Sequence, residues 1–196
     1  SKERSETKAE TPPDTDTETK TGYITVTSGG GFSYDFEACT DFAVDQFAPC
    51  TTYDGDLTET YTSDAFSFNN QGYTGSFIAF NPSATTPVAG TSWAAHGGSK
   101  YGACFNSIPN QGTTNNDWFI TPQINLQNDS HLSFWAKSVT SAYGLERFKV
   151  LISQTNNNPE SFSAITSGSY VEAPTTWTKY DYNISSYDGQ AIYIAI

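Results

Sequence analysis

The 196-residue chain has no run of about 18 apolar residues, the length that a membrane-spanning helix needs. It also does not open with the charged and then apolar segments of a signal peptide. We therefore predict a domain that does not insert into a membrane by itself. If the protein is exported, we expect its signal peptide to have been removed.

Basic residues are scarce, since nine Lys and Arg stand against 21 Asp and Glu, which gives a net charge of −12. This excess of negative charge opposes the phosphate neutralisation on which nucleic-acid binding depends, so neither nucleic acid nor an anionic membrane is an expected partner. Carboxylates suit a solvated surface, and they also suit coordination of a hard divalent cation such as calcium. Composition leaves both roles open.

Cysteine is also rare, and Cys39, Cys50 and Cys104 allow at most one disulfide. No CxxC motif occurs and the two histidines lie far from the cysteines along the chain, so a zinc site is not expected. We predict that Cys39 and Cys50 lie close enough to form a bridge and that Cys104 is buried in a strand. The alternative is three reduced cysteines that pack as small apolar side chains.

Aromatic residues, by contrast, make up 15% of the sequence, as much as all charged residues together, and this balance favours pleated sheets over helices. Short alternating segments separated by Gly, Asn, Pro and Ser predict a β-sandwich or barrel. The predicted strands are 23–27, 32–37, 75–80, 101–105, 118–122, 131–136, 146–152, 176–182 and 191–196.

Two parts of the chain are predicted to have different characters. Residues 1–21 contain no apolar side chain larger than Ala, so we expect a flexible polar tether there, or a terminus without a role, followed by one domain over 22–196. The segment from Cys39 to about Asn70 has no evident strand and carries six acidic residues. Loops of this length are usually functional or tied down, here by calcium or a disulfide.

A candidate oxygen cage lies near that segment. Asp35 and Glu37 are two residues apart on a predicted strand and would share one face, and Asp54-Gly55-Asp56 follows downstream. The Asp-Gly-Asp sequence is also a common turn, and its spacing does not match an EF-hand.

No motif predicts catalysis. The Gly29-Gly30-Gly31 turn precedes a strand, whereas a phosphate-binding loop precedes a helix. His96 lies in a loop of small residues and His131 begins a strand, and neither shows the spacing of a catalytic triad. Paired carboxylates of a glycosidase remain an open alternative, because sequence does not fix their separation. We expect no enzymatic activity.

Several segments together resemble the cleaved-adhesin domain of gingipains and related haemagglutinins, with choice-of-anchor J domains and, more distantly, MAM domains sharing the pattern. These segments are Phe36-Glu37, residues 91–103 (TSWAAHGGSKYGA), residues 116–122 (NDWFITP), residues 132–136 (LSFWA), residues 146–150 (ERFKV) and residues 177–195. The resemblance covers about residues 32–196. It implies a jelly-roll β-sandwich of antiparallel strands, calcium sites that stabilise loops, and adhesion without catalysis.

The resemblance also suggests individual residues and a location. It places Glu37 at a calcium position, with Asp54, Asp56 and Asp117 as further candidate ligands. Residues 1–20 resemble a mature bacterial lipoprotein, which implies an N-terminal lipid anchor and export to the cell surface as an outer membrane lipoprotein, or secretion. Family members carry a further strand with paired aspartates after the segment matching 192–196, so we expect a missing closing strand or a sheet that closes differently.

The four tryptophans and Tyr143 lie in two kinds of sequence surroundings, loop-like and strand-like. Trp93 and Tyr143 lie in loop-like surroundings and are the predicted ligand-binding residues, whereas Trp118, Trp135 and Trp177 lie in strand-like segments and are expected to pack in the core. The leading functional hypothesis is a surface adhesion module for a host protein or glycan. A hydrolase or its accessory carbohydrate-binding domain, and a structural spacer, are the alternatives.

Overall fold

A computed structural model describes residues 24–27, 31–108 and 114–196. The predicted tether, residues 1–21, lies outside the described residues. Fourteen short strands are present in the described ranges: β1 Ile24–Thr27, β2 Phe32–Tyr34, β3 Thr51–Asp54, β4 Ile78–Phe80, β5 Tyr101–Ala103, β6 Asp117–Ile120, β7 Ile124–Asn125, β8 His131–Ala136, β9 Arg147–Phe148, β10 Leu151–Ser153, β11 Ser163–Ala164, β12 Val171–Glu172, β13 Thr178–Asn183 and β14 Ala191–Ala195. The helices are single 3-10 turns at Pro82–Ala84, Thr91–Trp93, Pro159–Ser161 and Ser185–Tyr187.

The strands form two main antiparallel sheets. One sheet has the order β13-β8-β1-β2, and the other has the order β11-β10-β14-β6-β3 with β7 paired to β14. Two smaller pairs, β12-β9 and β4-β5, complete the arrangement. The all-β, antiparallel prediction is therefore confirmed. In the described part of the chain, no helix has the length and apolar character that crossing a membrane requires.

The main core lies between the two sheets. Leu132 and Phe134 alternate with outward residues on β8, and Ile192 and Ile194 do the same on β14, in the other sheet. All four belong to one buried cluster, so the two sheets face each other as a sandwich. Burial of each such side chain contributes about 1.5–3 kcal/mol before the cost of ordering the chain.

A second aromatic cluster packs around the β4-β5 pair. Its buried members are Phe42, Phe66, Tyr73, Ile78, Phe80 and Tyr101. Two of them, Phe42 and Phe66, come from the acidic segment that was predicted to be a strandless loop. The cluster therefore ties this segment down through apolar packing.

The prediction that residues 39–70 lack a strand is wrong, because β3 lies within them and pairs with β6. Hydrogen bonds also hold the segment in place. Asp45 accepts a hydrogen bond from the hydroxyl of Ser76 at 2.7 Å and one from the backbone N–H of Phe77 at 3.0 Å, and the side chain of Asn70 donates to the carbonyl of Phe42 at 2.8 Å.

The predicted strand at 32–37 is shorter than expected. β2 ends at Tyr34, and Phe36 has a φ of 64°, which reverses the chain. The backbone N–H of Glu37 donates to the carboxylate of Asp35 at 3.1 Å within this turn. Asp35 and Glu37 therefore do not share a strand face as predicted, since the alternation ends where the backbone leaves the extended region.

Candidate functional site

Three of the predicted metal ligands lie together at one end of the six-stranded sheet. Asp54 ends β3, Asp117 begins β6, and these two residues are directly paired in the antiparallel register. Asp56 follows two residues after Asp54. One carboxylate oxygen from each of the three lies within 4.8 Å of the others. We call Asp54, Asp56 and Asp117 the acidic cluster.

Hydrogen bonds from the surrounding loops fix the shape of the cluster. Asp54 accepts the backbone N–H of Leu57 at 2.6 Å, which closes a tight turn. Asp56 accepts the backbone N–H of Asn116 at 2.8 Å and the hydroxyl of Ser107 at 3.0 Å. The carboxylates are therefore held in place by donors from three separate segments.

Gly55 allows the turn after β3 to approach the segment before β6 closely. Its N–H donates to the carbonyl of Asn116 at 2.8 Å, and a Cβ atom at this position would lie 2.9 Å from that same oxygen. A larger residue would push the β3 turn away from the segment that precedes β6. The middle residue of the Asp-Gly-Asp sequence is thus required by the packing of the cluster itself.

Two carboxylates of the cluster have shifted pKa values, in opposite directions. Burial, together with the neighbouring charges of Asp56, Asp54 and Asp45, raises the pKa of Asp117 to about 7, although the hydrogen bond from Cys104 acts in the opposite direction. Burial would also raise the pKa of Asp56, but the hydrogen bonds donated by Thr58, Asn116 and Ser107 outweigh it, so that this pKa is lowered. Negative charge is thus concentrated here, and no Lys or Arg forms an ion pair with the cluster within the described residues.

Sequence reasoning missed two residues of this site. Asn115 donates to the carboxylate of Asp117 at 2.6 Å and to the thiol of Cys104 at 3.1 Å, and the thiol in turn donates to Asp117 at 3.3 Å. The polar Asn115-Asn116 pair directly before the apolar strand β6 was the available signal. Cys104 follows β5 and is exposed, so the prediction that it is buried in a strand is wrong.

Glu37, the fourth predicted ligand, is not part of the acidic cluster. One of its carboxylate oxygens accepts the backbone N–H groups of Ser99 and Lys100, both at 2.9 Å, and the other accepts the Ser99 hydroxyl at 2.6 Å. Burial would raise the pKa of Glu37, but the hydrogen bonds from Ser99 and Lys100 outweigh it and lower this pKa. A metal role for Glu37 stays a prediction, separate from the three aspartates.

Cys39 and Cys50 are buried in the main core, and all three cysteines are free thiols in the structure. Both residues pack as small apolar side chains in the structure, and a bridge between them stays a prediction. The thiol of Cys39 lies 3.2 Å from the hydroxyl of Tyr34, within hydrogen-bonding distance. Burial, with a smaller contribution from the neighbouring Cys39, raises the pKa of the Cys50 thiol to about 12.

The tryptophans do not follow the predicted division. Trp93 packs against the second aromatic cluster, with its ring stacked 5.7 Å from Phe105 and edge-on to Phe66 at 5.1 Å. Trp118 and Trp135 belong to neither core cluster among the described residues, because the buried face of their strands is taken by neighbours such as Phe119 and Phe134. Core packing was therefore wrongly predicted for Trp118 and Trp135, whereas Trp177 does pack against the second cluster.

Tyr143, the other predicted ligand-binding residue, is 97% exposed in the loop before β9. The structure therefore leaves its ring accessible, and its binding role stays a prediction. The ligand-binding role of Trp93 also stays a prediction, and its ring contacts supply a separate structural reason for an aromatic residue at that position.

The two histidines lie in different surroundings. The His96 ring stacks on Trp135 with centroids 3.8 Å apart and contacts Trp177 edge-on at 5.8 Å, and burial lowers its pKa. His131 lies 3.0 Å from the carboxylate of Asp181. In residues 24–27, 31–108 and 114–196, neither histidine is hydrogen-bonded to a serine hydroxyl or a cysteine thiol, the contact that activates such nucleophiles.

Comparison with known proteins finds similarity in sequence and in fold. The chain matches no protein-family model. Hemagglutinin A of Porphyromonas gingivalis is 31% identical over 84 residues, which is 42% of this chain but 3% of that protein. Hemagglutinin A of strain ATCC BAA-308 / W83 matches equally over 84 residues, 4% of its length.

The fold is also shared with a solved structure. The K2 cleaved adhesin domain of Lys-gingipain superposes with a TM-score of 0.51 over 82% of this chain and 84% of that domain, at 14% sequence identity. Identity at this level indicates a common fold and nothing finer. The resemblance to the cleaved-adhesin domain of gingipains is confirmed, and the chain has the fold of such a domain.

Proposed function

We propose that this chain is a non-catalytic adhesion module of an exported bacterial protein. The observation that carries the proposal is the joint likeness, in sequence to Hemagglutinin A and in fold to a cleaved adhesin domain. One of these proteins is named as a hemagglutinin and the other as a cleaved adhesin domain, and the chain shares the fold of the second. The surroundings of His96 and His131, which lack a bonded nucleophile in the described residues, favour binding over catalysis.

The proposed location is the bacterial cell surface or the medium outside it. The relatives support export, and the polar character of residues 1–20 supports a tether behind an N-terminal lipid anchor. The net charge of −12 favours neutral or basic partners on a host, either a protein or a glycan.

Calcium is the proposed structural ion, and Asp54, Asp56 and Asp117 would hold it. Carboxylate oxygens are the ligands that calcium prefers, and three of them converge here without a basic partner among the described residues. The raised pKa of Asp117 fits a site that lacks a counter-charge. A bound divalent cation would supply that positive charge and stabilise the loops on which the carboxylates lie.

An adhesion assay tests the proposed function. The purified chain would be applied to immobilised host matrix proteins, to glycans and to cultured epithelial cells, with a panel of glycoside and peptide substrates measured in parallel. We expect saturable retention on at least one surface without substrate turnover. Turnover of any substrate would favour the hydrolase alternative, and neither retention nor turnover would favour a spacer.

A further inference from the structure

A cavity of about 350 Å³ lies where the turn into β2 meets the segment around β7. It is lined by Gly31, Phe32, Gln123, Ile124, Asn125 and Gln127. This volume is at the lower end of the range typical of small-ligand sites. None of its lining residues is one of the metal, thiol or ligand-binding candidates discussed above.

The alternation of residues 123–127 explains why amide side chains line the cavity. Ile124 and Leu126 are buried in the main core at 5% and 3% exposure, so the alternating Gln123, Asn125 and Gln127 point outward. The pairing of Ile124 with Ile192 on β14 fixes this orientation. Three exposed amides, that of Asn125 on β7 and those of Gln123 and Gln127 in the residues around it, therefore line one side of the cavity.

The three amides are available to a ligand. Each carries two N–H donors and one carbonyl acceptor. Within the described ranges, no hydrogen bond ties the side chains of Gln123, Asn125 or Gln127 to another group of the protein. The ring of Phe32, stacked nearly parallel to that of Tyr34 with centroids 6.4 Å apart, adds an aromatic surface to the same cavity.

We propose that this amide-lined cavity binds a neutral carbohydrate. The hydroxyl groups of a sugar can donate to and accept from the amides, and its apolar C–H face can stack on an aromatic ring. A sugar therefore fits both the amide side chains and the Phe32 ring. None of the six lining residues is charged, and the protein is strongly acidic, so an anionic ligand would find no counter-charge. The assignment rests on the proposed binding function and adds a site and a ligand class to it.

A second cavity of about 360 Å³ offers a matched comparison. It is lined by Val44, Gln46, Asn70, Gln71, Tyr73 and Thr74. Two of its three amides are already engaged, since Asn70 donates to the carbonyl of Phe42 and Gln71 donates to the carbonyl of Ser63, both at 2.8 Å. Gln46 is exposed and lines this cavity, so Gln46→Ala removes an amide of the same kind from outside the proposed site.

Titration calorimetry of the intact chain with lactose, mannotriose, cellotriose and sialyllactose tests the proposal. We expect at least one neutral sugar to bind, and sialyllactose to bind no better than lactose. Asn125→Ala and Gln127→Ala should each weaken binding of that neutral sugar by about tenfold, the effect of losing one ligand hydrogen bond. Phe32→Leu keeps the apolar volume and should also weaken binding, because the aromatic surface is lost.

The proposal requires that Gln46→Ala binds the sugar as wild type does. All four variants should melt close to the wild-type temperature, which would show that they fold. The proposal is overturned if no neutral sugar binds at millimolar concentration, or if Gln46→Ala weakens binding as much as Asn125→Ala. Retention of the chain on host proteins with no sugar binding would reject the cavity while leaving the adhesion function intact. Absence of retention on every surface would instead reject the adhesion function.

Discussion

The carboxylate of Glu37 accepts two hydrogen bonds from Ser99, one from its backbone N–H at 2.9 Å to one oxygen and one from its hydroxyl at 2.6 Å to the other. Gly98 makes this approach possible, since it has a φ of 63° and a Cβ atom there would collide with Glu37. The contact joins the turn after β2 to the loop before β5. It gives Glu37 a structural role that needs no ion.

The first prediction concerns this contact. Glu37→Gln replaces one accepting oxygen with an N–H₂ group that faces a donor, so we expect a loss of about 1–3 kcal/mol in the free energy of unfolding, measured by urea denaturation in the presence of a chelator. Ser99→Ala removes only the hydroxyl donor and should cost less. Equal stability of Glu37→Gln and wild type in chelator would contradict this anchoring role.

The second prediction concerns calcium and the acidic cluster. Calcium at a hundredfold excess over its dissociation constant should stabilise the wild type by about 2.7 kcal/mol, which thermal melting would detect. Asp117→Asn should lose most of this response, yet be at least as stable as wild type in chelator, because it removes a repelling charge.

The matched control for the calcium experiment is Asp129→Asn. The Asp129 side chain is 90% exposed and lies outside the cluster, so this variant should respond to calcium as wild type does. A wild-type melting temperature that is the same in millimolar calcium and in chelator, with no metal found by elemental analysis, would reject the calcium proposal.

The third prediction concerns the buried thiols. Because Cys39 and Cys50 are buried and the pKa of Cys50 is raised to about 12, we expect neither to react with a maleimide in the native protein at pH 8. Both should react after unfolding in denaturant under reducing conditions, as mass spectrometry of labelled peptides would show. Recovery of a Cys39–Cys50 disulfide peptide from freshly purified protein would support the bridge predicted from sequence.

The fourth prediction separates packing from exposure among the aromatic residues. Trp93→Ala should destabilise the fold by about 3 kcal/mol, because the ring contacts Phe66, Phe80 and Phe105. Tyr143→Ala should change stability by less than about 0.5 kcal/mol, because that ring is 97% exposed. Chemical denaturation of both variants measures the difference, and similar losses would contradict the assignment of Trp93 to the second cluster.

The fifth prediction is a pH dependence at Asp181. The hydrogen bond with His131 lowers the pKa of this carboxyl, and Lys179 acts in the same direction. Because the folded pKa is below the unfolded one, the stabilisation is fully present above the ordinary value of 3.8 and is lost as the pH falls through the folded pKa. NMR titration should show the pKa of Asp181 rising in His131→Ala, whereas an unchanged value would exclude His131 as the cause.

Sequence alone predicted the class of fold and many of its strands. Alternation of apolar and polar residues identifies segments such as β8 and β14, because side chains on a strand point to opposite faces. It did not reveal β3, β7, β11 and β12, because each of these strands contains a single apolar or aromatic residue and so shows no alternation. Their place is set by pairing with longer strands.

Sequence analysis also identified the three aspartates of the acidic cluster as candidate ligands, but it could not predict that they lie together. Asp54 and Asp117 meet because β3 pairs with β6 in one register, and a register joins segments that are distant along the chain. The same limit applies to Glu37, which the resemblance grouped with these aspartates and the structure places with Ser99.

The composition and the alternating pattern by themselves determined an acidic, antiparallel β-sandwich, because those features depend only on local geometry and on the sum of charges. Tertiary structure alone decided which face of each strand is inside. In β6 and β8 a tryptophan adjoins a phenylalanine, so both faces are apolar, and only the opposing sheet selects Phe119 and Phe134 for the core while leaving Trp118 and Trp135 on the other face.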